Sequence, residues 1–143
     1  MNQTTILKFF LIKDEDRIFY NPSTKEYNQE QEKTRSRFVV ELIEKYKYRE
    51  QDIRLDVEIP GSDVFDSIDL VVFKDYNPFL VADCLTKKIS DVELLRKGEV
   101  LIEKAKAIGA SYAVLVLKER KIIFSLRNTV RRISDFPKLS TLD

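Results

Sequence analysis

The sequence predicts a single α/β domain: a mixed β-sheet flanked by α-helices, with an αβββαβ core behind an N-terminal β-hairpin. Three observations carry that prediction. Two long stretches repeat their apolar residues at helical spacing. Residues 68–73 (IDLVVF) and 79–85 (FLVADCL) are apolar almost throughout, as strands covered on both faces are. A helical stretch then separates them from a further apolar strand, the pattern of a parallel crossover. The chain has 143 residues, enough for one domain with one proper core.

The elements follow in order. Residues 6–12 are apolar with one lysine, KDED follows, then RIFY, which reads as a hairpin over residues 5–21. A helix is expected over 29–46, where Phe38, Val39, Leu42, Ile43 and Tyr46 share a face. Its first half, QEQEKTRSR, is polar and is expected to project beyond the core. Residues 53–59 alternate, with Ile53, Leu55, Val57 and Ile59 on one face and Arg54, Asp56 and Glu58 on the other. Pro60-Gly61-Ser62 makes a turn, and Asp63 and Asp66 read as loop residues.

Strands are expected over 68–73 and 79–85, joined by a turn over Lys74–Pro78. Ser90-Asp91-Val92-Glu93 fits a capping box. The helix it opens runs to Ile108, with Leu94, Leu95, Leu101, Ile102, Ala105 and Ile108 buried, Gly98 permitting close approach to a sheet, and Gly109 closing the end. Strands over 112–117 and 121–126 complete the core, which spans 29–127. Residues 128–143 are expected to form a partly ordered tail.

Composition excludes several chemistries. There is no histidine, which removes histidine-based zinc sites, Ser-His-Asp triads and histidine general bases. The single cysteine, Cys84, sits in an apolar run and is expected to be a buried reduced thiol. Lysine plus arginine number 25 against 24 acids, so net charge says nothing about partners. No apolar run approaches the roughly 20 residues of a membrane helix. The N-terminus carries no small-residue cleavage site, so a cytoplasmic location is expected. Gly61, Gly98 and Gly109 are the only glycines, so the sequence holds no GxxxxGK nucleotide loop.

Two carboxylates interrupt the apolar strands, Asp69 and Asp83. Aspartate is depleted in strands, and a buried carboxylate is costly without a partner. Strand parity puts Asp69, Val71 and Phe73 on one face, and Phe79, Val81, Asp83 and Leu85 on another. If Phe73 and Phe79 flank the turn on the same face, both aspartates meet at the far end of the hairpin. Such a pair suits Mg²⁺ or Mn²⁺. Equally, each aspartate could pair with a lysine or arginine, or sit at a frayed strand end.

Taken in order, EQEKTRSRFVVELIEKYKYREQDIRLDVEI, IDLVVF, FLVADC and AKAIGASYAVLVL resemble the N-terminal nuclease domain of type I restriction enzyme R subunits and its small stand-alone relatives. The similarity runs over residues 17–127. It implies the restriction-endonuclease-like, PD-(D/E)xK fold and Mg²⁺- or Mn²⁺-dependent hydrolysis of DNA. On this pattern Glu32, Asp69 and Asp83 fall on the metal-binding acids, and Cys84 on a residue whose carbonyl helps bind metal. Arg35 falls on the arginine of the first helix.

The motif lysine, however, falls on Leu85, and the glutamine of many relatives, placed near Val100, is absent. Lys87 or Lys88 is expected to replace that lysine: Lys87 has the parity of Asp83, and although four residues of strand is about 13 Å, a bend after Leu85 would help it reach the site. The partners implied are DNA and other restriction-modification subunits, with any translocation supplied by another polypeptide. Lys33, Arg35, Arg37, Arg127, Arg131 and Arg132 are candidate phosphate contacts. Two other readings stand beside the nuclease. One is a degenerate fold that binds DNA or protein without cleaving. The other is an assembly module in which the hairpin pairs between the subunits of a homodimer.

Overall fold

The computed structural model describes residues 29–59, 67–85 and 88–136, with side chains from Lys33 onward. Among these residues lie helix α1 (Gln29–Glu44), strands β1 (Ile53–Glu58), β2 (Ser67–Lys74) and β3 (Asn77–Cys84), helix α2 (Asp91–Ile108), and strands β4 (Tyr112–Val116), β5 (Lys121–Ser125) and β6 (Arg131–Ile133). The hairpin expected at 5–21 and the loop carrying Asp63 and Asp66 lie outside the described residues.

The strands form one sheet in the order β1-β2-β3-β4-β5-β6. Only β3 and β4 are parallel; the other neighbours run antiparallel. This is a meander, one crossover through α2, and a second meander: the mixed, restriction-endonuclease-like sheet that the sequence predicts. Parallel pairing needs a long connection, and α2 supplies it. β3 and β4 sit inside the sheet with a helix over each face. Their near-continuous apolar runs follow from that.

Two cores result. Phe38, Val39 and Leu42 of α1 pack on Leu70, Val72, Leu80, Ala82, Cys84, Val114 and Val116. Leu101 and Ala105 of α2 pack on Val71, Val81, Ala113, Leu115 and Ile122 on the opposite face. Each fully buried aliphatic side chain contributes about 1.5–3 kcal/mol, so the helices are held to the sheet by ordinary burial. The Ser90 side chain accepts from the Glu93 N–H at 3.2 Å, and Gly109 closes α2 at φ 76°. A Cβ on Gly98 would lie 3.4 Å from Cζ of Phe124, so the missing side chain does bring α2 close to the sheet.

Three expectations are corrected, and one stretch gains detail. Leu95 is 66% exposed, because the sheet-facing stripe runs through Leu94, Gly98, Leu101 and Ala105 and Leu95 lies one residue off it. The polar first half of α1 does not project: Thr34, Arg35 and Ser36 are buried. β1 does not keep one face. Asp56 takes a left-handed φ of 51°, so Ile53 and Leu55 enter the α1 core while Val57 and Ile59 turn to the α2 core. Beyond residue 127 the chain adds β6, and Phe136 is buried against Tyr46 and Phe38, with ring centroids 4.5 and 5.8 Å away.

The α2 caps should be worth what caps usually are. Ser90→Ala and Gly109→Ala should each destabilise the fold by about 1 kcal/mol, additively because the sites are at opposite ends, measured by urea denaturation. Burial pushes the Tyr48 phenol well above the usual tyrosine range, with Tyr112 and Tyr46 adding to it. Below about pH 10 both folded and unfolded chains keep that proton; above it the unfolded chain ionises first, so stability falls as pH rises. Tyr48→Phe should therefore show a shallower loss of stability between pH 9 and 11 than the parent, read from urea midpoints as about the same Tyr48-linked slope removed.

Candidate metal and nucleic-acid site

The β2–β3 hairpin turns on Asp75 and Tyr76, whose φ values of 51° and 68° give the two-residue turn that matches strand twist. Near the turn Lys74 opposes Asn77 and Phe73 opposes Pro78. Continued unchanged, that register would set Asp69 against Ala82. The register instead shifts by one residue between Val72 and Phe73, and beyond it Val72 opposes Leu80 and Leu70 opposes Ala82. The next step sets Asp69 against Asp83. Phe73 and Phe79 do not share a face as expected: Phe73 packs on the α2 core and Phe79 in the α1 core. The bulge, not a Phe73–Phe79 pair, brings the aspartates together.

At that step the carboxylates take over from the ladder. Asp83 Oδ1 accepts the Asp69 N–H at 3.0 Å, and Asp69 Oδ2 accepts the Cys84 N–H at 2.8 Å. Each side chain thus binds backbone of the other strand, which fixes both carboxylates and offsets their desolvation. A cation completes the arrangement. Lys104, on α2, donates to Asp83 Oδ2 at 3.3 Å and to the Ser67 carbonyl at 3.0 Å. The Lys104 and Asp83 side chains are 18% and 20% exposed, at the edge of solvent.

A third aspartate lies in the same row. The β1–β2 register pairs Leu55 with Leu70 and Val57 with Ile68, stepping over Asp56 and Asp69. Asp56 Oδ1 accepts from Arg35 Nη1 at 2.9 Å, and the same nitrogen lies 3.5 Å from the Asp69 carbonyl. Arg35 comes from α1, its side chain only 3% exposed. This pair explains why the polar half of α1 is buried: an arginine packed there has its counter-charge on the sheet. Arg35 is consequently a structural cation rather than a phosphate contact.

The remaining candidates fall as follows. Glu32 lies in α1, one turn before Arg35, its side chain outside the described residues. Lys87 also lies outside them. Lys88 is exposed and rims a surface groove with Leu85, Ile89, Leu94 and Leu117; among the described residues that groove includes neither Asp69 nor Asp83. Leu85 donates its N–H to the Val116 carbonyl at 2.8 Å and packs on the α2 core. The Cys84 thiol is buried in the α1 core, so a metal contact from this residue would use its carbonyl. Arg131 and Arg132 are exposed on β6, three strands from β3, about 14 Å across the sheet.

Lys104 was not visible as a site residue in the sequence. The available signal is its place on the wheel: it lies three residues after Leu101 and four before Ile108, a lysine on the margin of a buried stripe.

The donor set can be weighed against a divalent ion. Among the described residues no three Asp, Glu or Cys side chains gather around one point. Asp69 and Asp83 supply hard carboxylate oxygens at one place, which fits Mg²⁺ or Mn²⁺, ions that keep several waters and take one or two protein carboxylates with substrate oxygens. The residues fit that mode and not an all-protein cage.

A mixed sheet with one α-helical crossover, carrying paired aspartates on two neighbouring strands, gives the chain a restriction-endonuclease-like α/β fold. The chain belongs to the family described as type I restriction enzyme R protein N terminus (HSDR_N), which matches residues 30–137. No curated protein matches the chain. Among the described residues no helix is long and apolar enough to cross a membrane.

The Arg35–Asp56 pair gives a direct test of the row. Asp56→Ala leaves a buried guanidinium without that carboxylate and should cost about 2–4 kcal/mol, measured by urea denaturation. Arg35→Met with Asp56→Asn, which removes both charges and keeps a residue type suited to the left-handed φ of 51°, should recover much of the loss.

Proposed function

We propose that this chain is an R-subunit-like endonuclease domain that hydrolyses DNA phosphodiester bonds with Mg²⁺ or Mn²⁺, in company with other restriction-modification subunits. The observation that carries the reading is the interlocked pair Asp69 and Asp83, each fixed by a backbone N–H of the neighbouring strand. Strand carboxylates held this rigidly at a solvent edge serve no packing purpose that apolar residues would not serve better.

Asp69 and Asp83 would hold the metal, joined by the Cys84 carbonyl and Glu32 as the family pattern implies. The metal, when bound, supplies Lewis-acid polarisation of the phosphodiester and a more acidic bound water. The chain's own part is positioning. The two backbone bonds remove rotamer freedom from the carboxylates before substrate arrives, which is the entropic portion of catalysis. The α2 side of the sheet then presents an ammonium beside the acids, so the site carries charge of both signs where a phosphate would lie.

A second reading has its own observation. Leu85 holds the motif lysine's place and is built into the sheet and the α2 core, which favours a non-cleaving module that binds DNA or protein. Plasmid cleavage with Mn²⁺ separates the two. The nuclease should nick supercoiled DNA, and Asp69→Ala and Asp83→Ala should each lower the rate at least about 100-fold. Equal nicking by both variants would show the activity to be a contaminant, and the binding module would stand.

A further inference from the structure

We propose that Lys104 is the working cation of this site: it neutralises Asp83 while no metal is present and turns to the DNA phosphate once a divalent ion takes the Asp83 oxygen. The inference rests on the nuclease reading and adds to it a residue that neither strand supplies.

Asp56, Asp69 and Asp83 occupy one row across three adjacent strands, and two described cations bond to them, Arg35 and Lys104. The two are not equivalent. Arg35 enters from the α1 side, is 3% exposed, and serves Asp56 and the Asp69 carbonyl. An arginine so enclosed cannot follow a substrate. Lys104 enters from the α2 side, at the solvent edge, and bonds to the outer oxygen of Asp83. Its contact there, 3.3 Å, is longer than a tight charge-assisted bond of about 2.8 Å. The bond to Ser67, at 3.0 Å, is the shorter one and gives the nitrogen a second, neutral acceptor. An ammonium has three N–H groups; Ser67 and Asp83 take two, and among the described residues the third has no acceptor.

The site therefore holds an ammonium shared between a neutral carbonyl and a metal-competent oxygen. A divalent ion at Asp83 would repel it from Oδ2 without releasing it from Ser67. The nearest compensating anion would then be a phosphate oxygen bound beside the metal, where a cation counts most as charge builds in the transition state. α2 is stiff enough to support this, since Leu101 and Ala105, on either side of Lys104, are both fully buried.

The test is Mn²⁺ titration calorimetry on the full chain, with Lys104→Met, Lys104→Arg and Asp69→Ala beside the parent, and plasmid nicking run in parallel. Lys104→Met should bind Mn²⁺ about three- to tenfold tighter, because a competing cation is gone, yet nick DNA about 100-fold more slowly. Lys104→Arg should restore part of the nicking, and both Lys104 variants should melt as the parent does within a few degrees. Parent binding of Mn²⁺ that depends on Asp69, with Lys104→Met unchanged in both affinity and nicking, overturns the role of Lys104 and leaves the nuclease reading intact. A Lys104→Met variant that alone binds Mn²⁺ supports the competition directly. No Asp69-dependent Mn²⁺ binding in either protein overturns both.

Discussion

The β2–β3 hairpin closes on a two-residue turn whose register, carried through unchanged, would oppose Asp69 to Ala82. One residue of slippage between Val72 and Phe73 sets it against Asp83 instead. Side chains directly opposite in a sheet share a face, and a slip of one residue sends every one of them to the other face. The bulge therefore decides whether the two acids meet. It also costs a ladder step, and the site turns that loss to use. Where strand backbone would otherwise bond strand backbone, the Asp69 and Cys84 N–H groups bond carboxylate oxygens. The acids are satisfied by groups the sheet had to satisfy in any case.

The same row shows how a small domain keeps charge near its core. Carboxylates set among apolar strands need counter-charges with short reach, and each face provides one through its helix. The α1 face gives Arg35, whose planar fork suits fixed, enclosed pairing. The α2 face gives Lys104, a compact ammonium on a flexible stem. Asp56 accommodates its partner by taking a left-handed φ in the middle of β1, a conformation aspartate tolerates better than most residues. That twist also sends Val57 and Ile59 to the second core, so a single backbone choice serves both the ion pair and the packing of the sheet's edge.

Much of the fold was legible because it depends on local pattern. The doubly covered strands IDLVVF and FLVADC, the Ser90 and Gly109 caps, and the parallel placement of Tyr112–Val116 all follow from residue type and spacing, and the structure has them. Asp69 and Asp83 stood out for the same reason, as acids in apolar strands. What was not legible depends on register and on pairing at long range. Nothing in the turn sequence announces the shift at Val72, and the face change at Asp56 hides behind perfect alternation of apolar residues. Arg35 read as part of a polar projection because its partner lies 21 residues away. Lys104 gave no signal as a site residue because its partner lies 21 residues back, across the crossover. Phe136 lay in the expected tail, where no pattern marks it, and its packing on Phe38 ties that segment to α1, with Tyr46 just beyond the helix adding to it.

The contrast between Leu85 and Lys104 bears on what such a site requires. A lysine at residue 85 would extend from the strand end that also bonds Val116 and packs against α2. There the ammonium's place and the strand's packing would compete for one side chain. Delivered from α2, the ammonium approaches Asp83 from outside the sheet, and position 85 is released for an apolar residue that seals the core. The chemistry asks only for a cation near the outer oxygen of Asp83, held well enough not to wander. Two features supply that here: the buried helix flanks at Leu101 and Ala105, and the Ser67 carbonyl at 3.0 Å. A charge fixed in space by neighbours need not be adjacent in sequence to the group it serves. For that reason the motif's gap at Leu85 is not by itself a sign that the site has decayed.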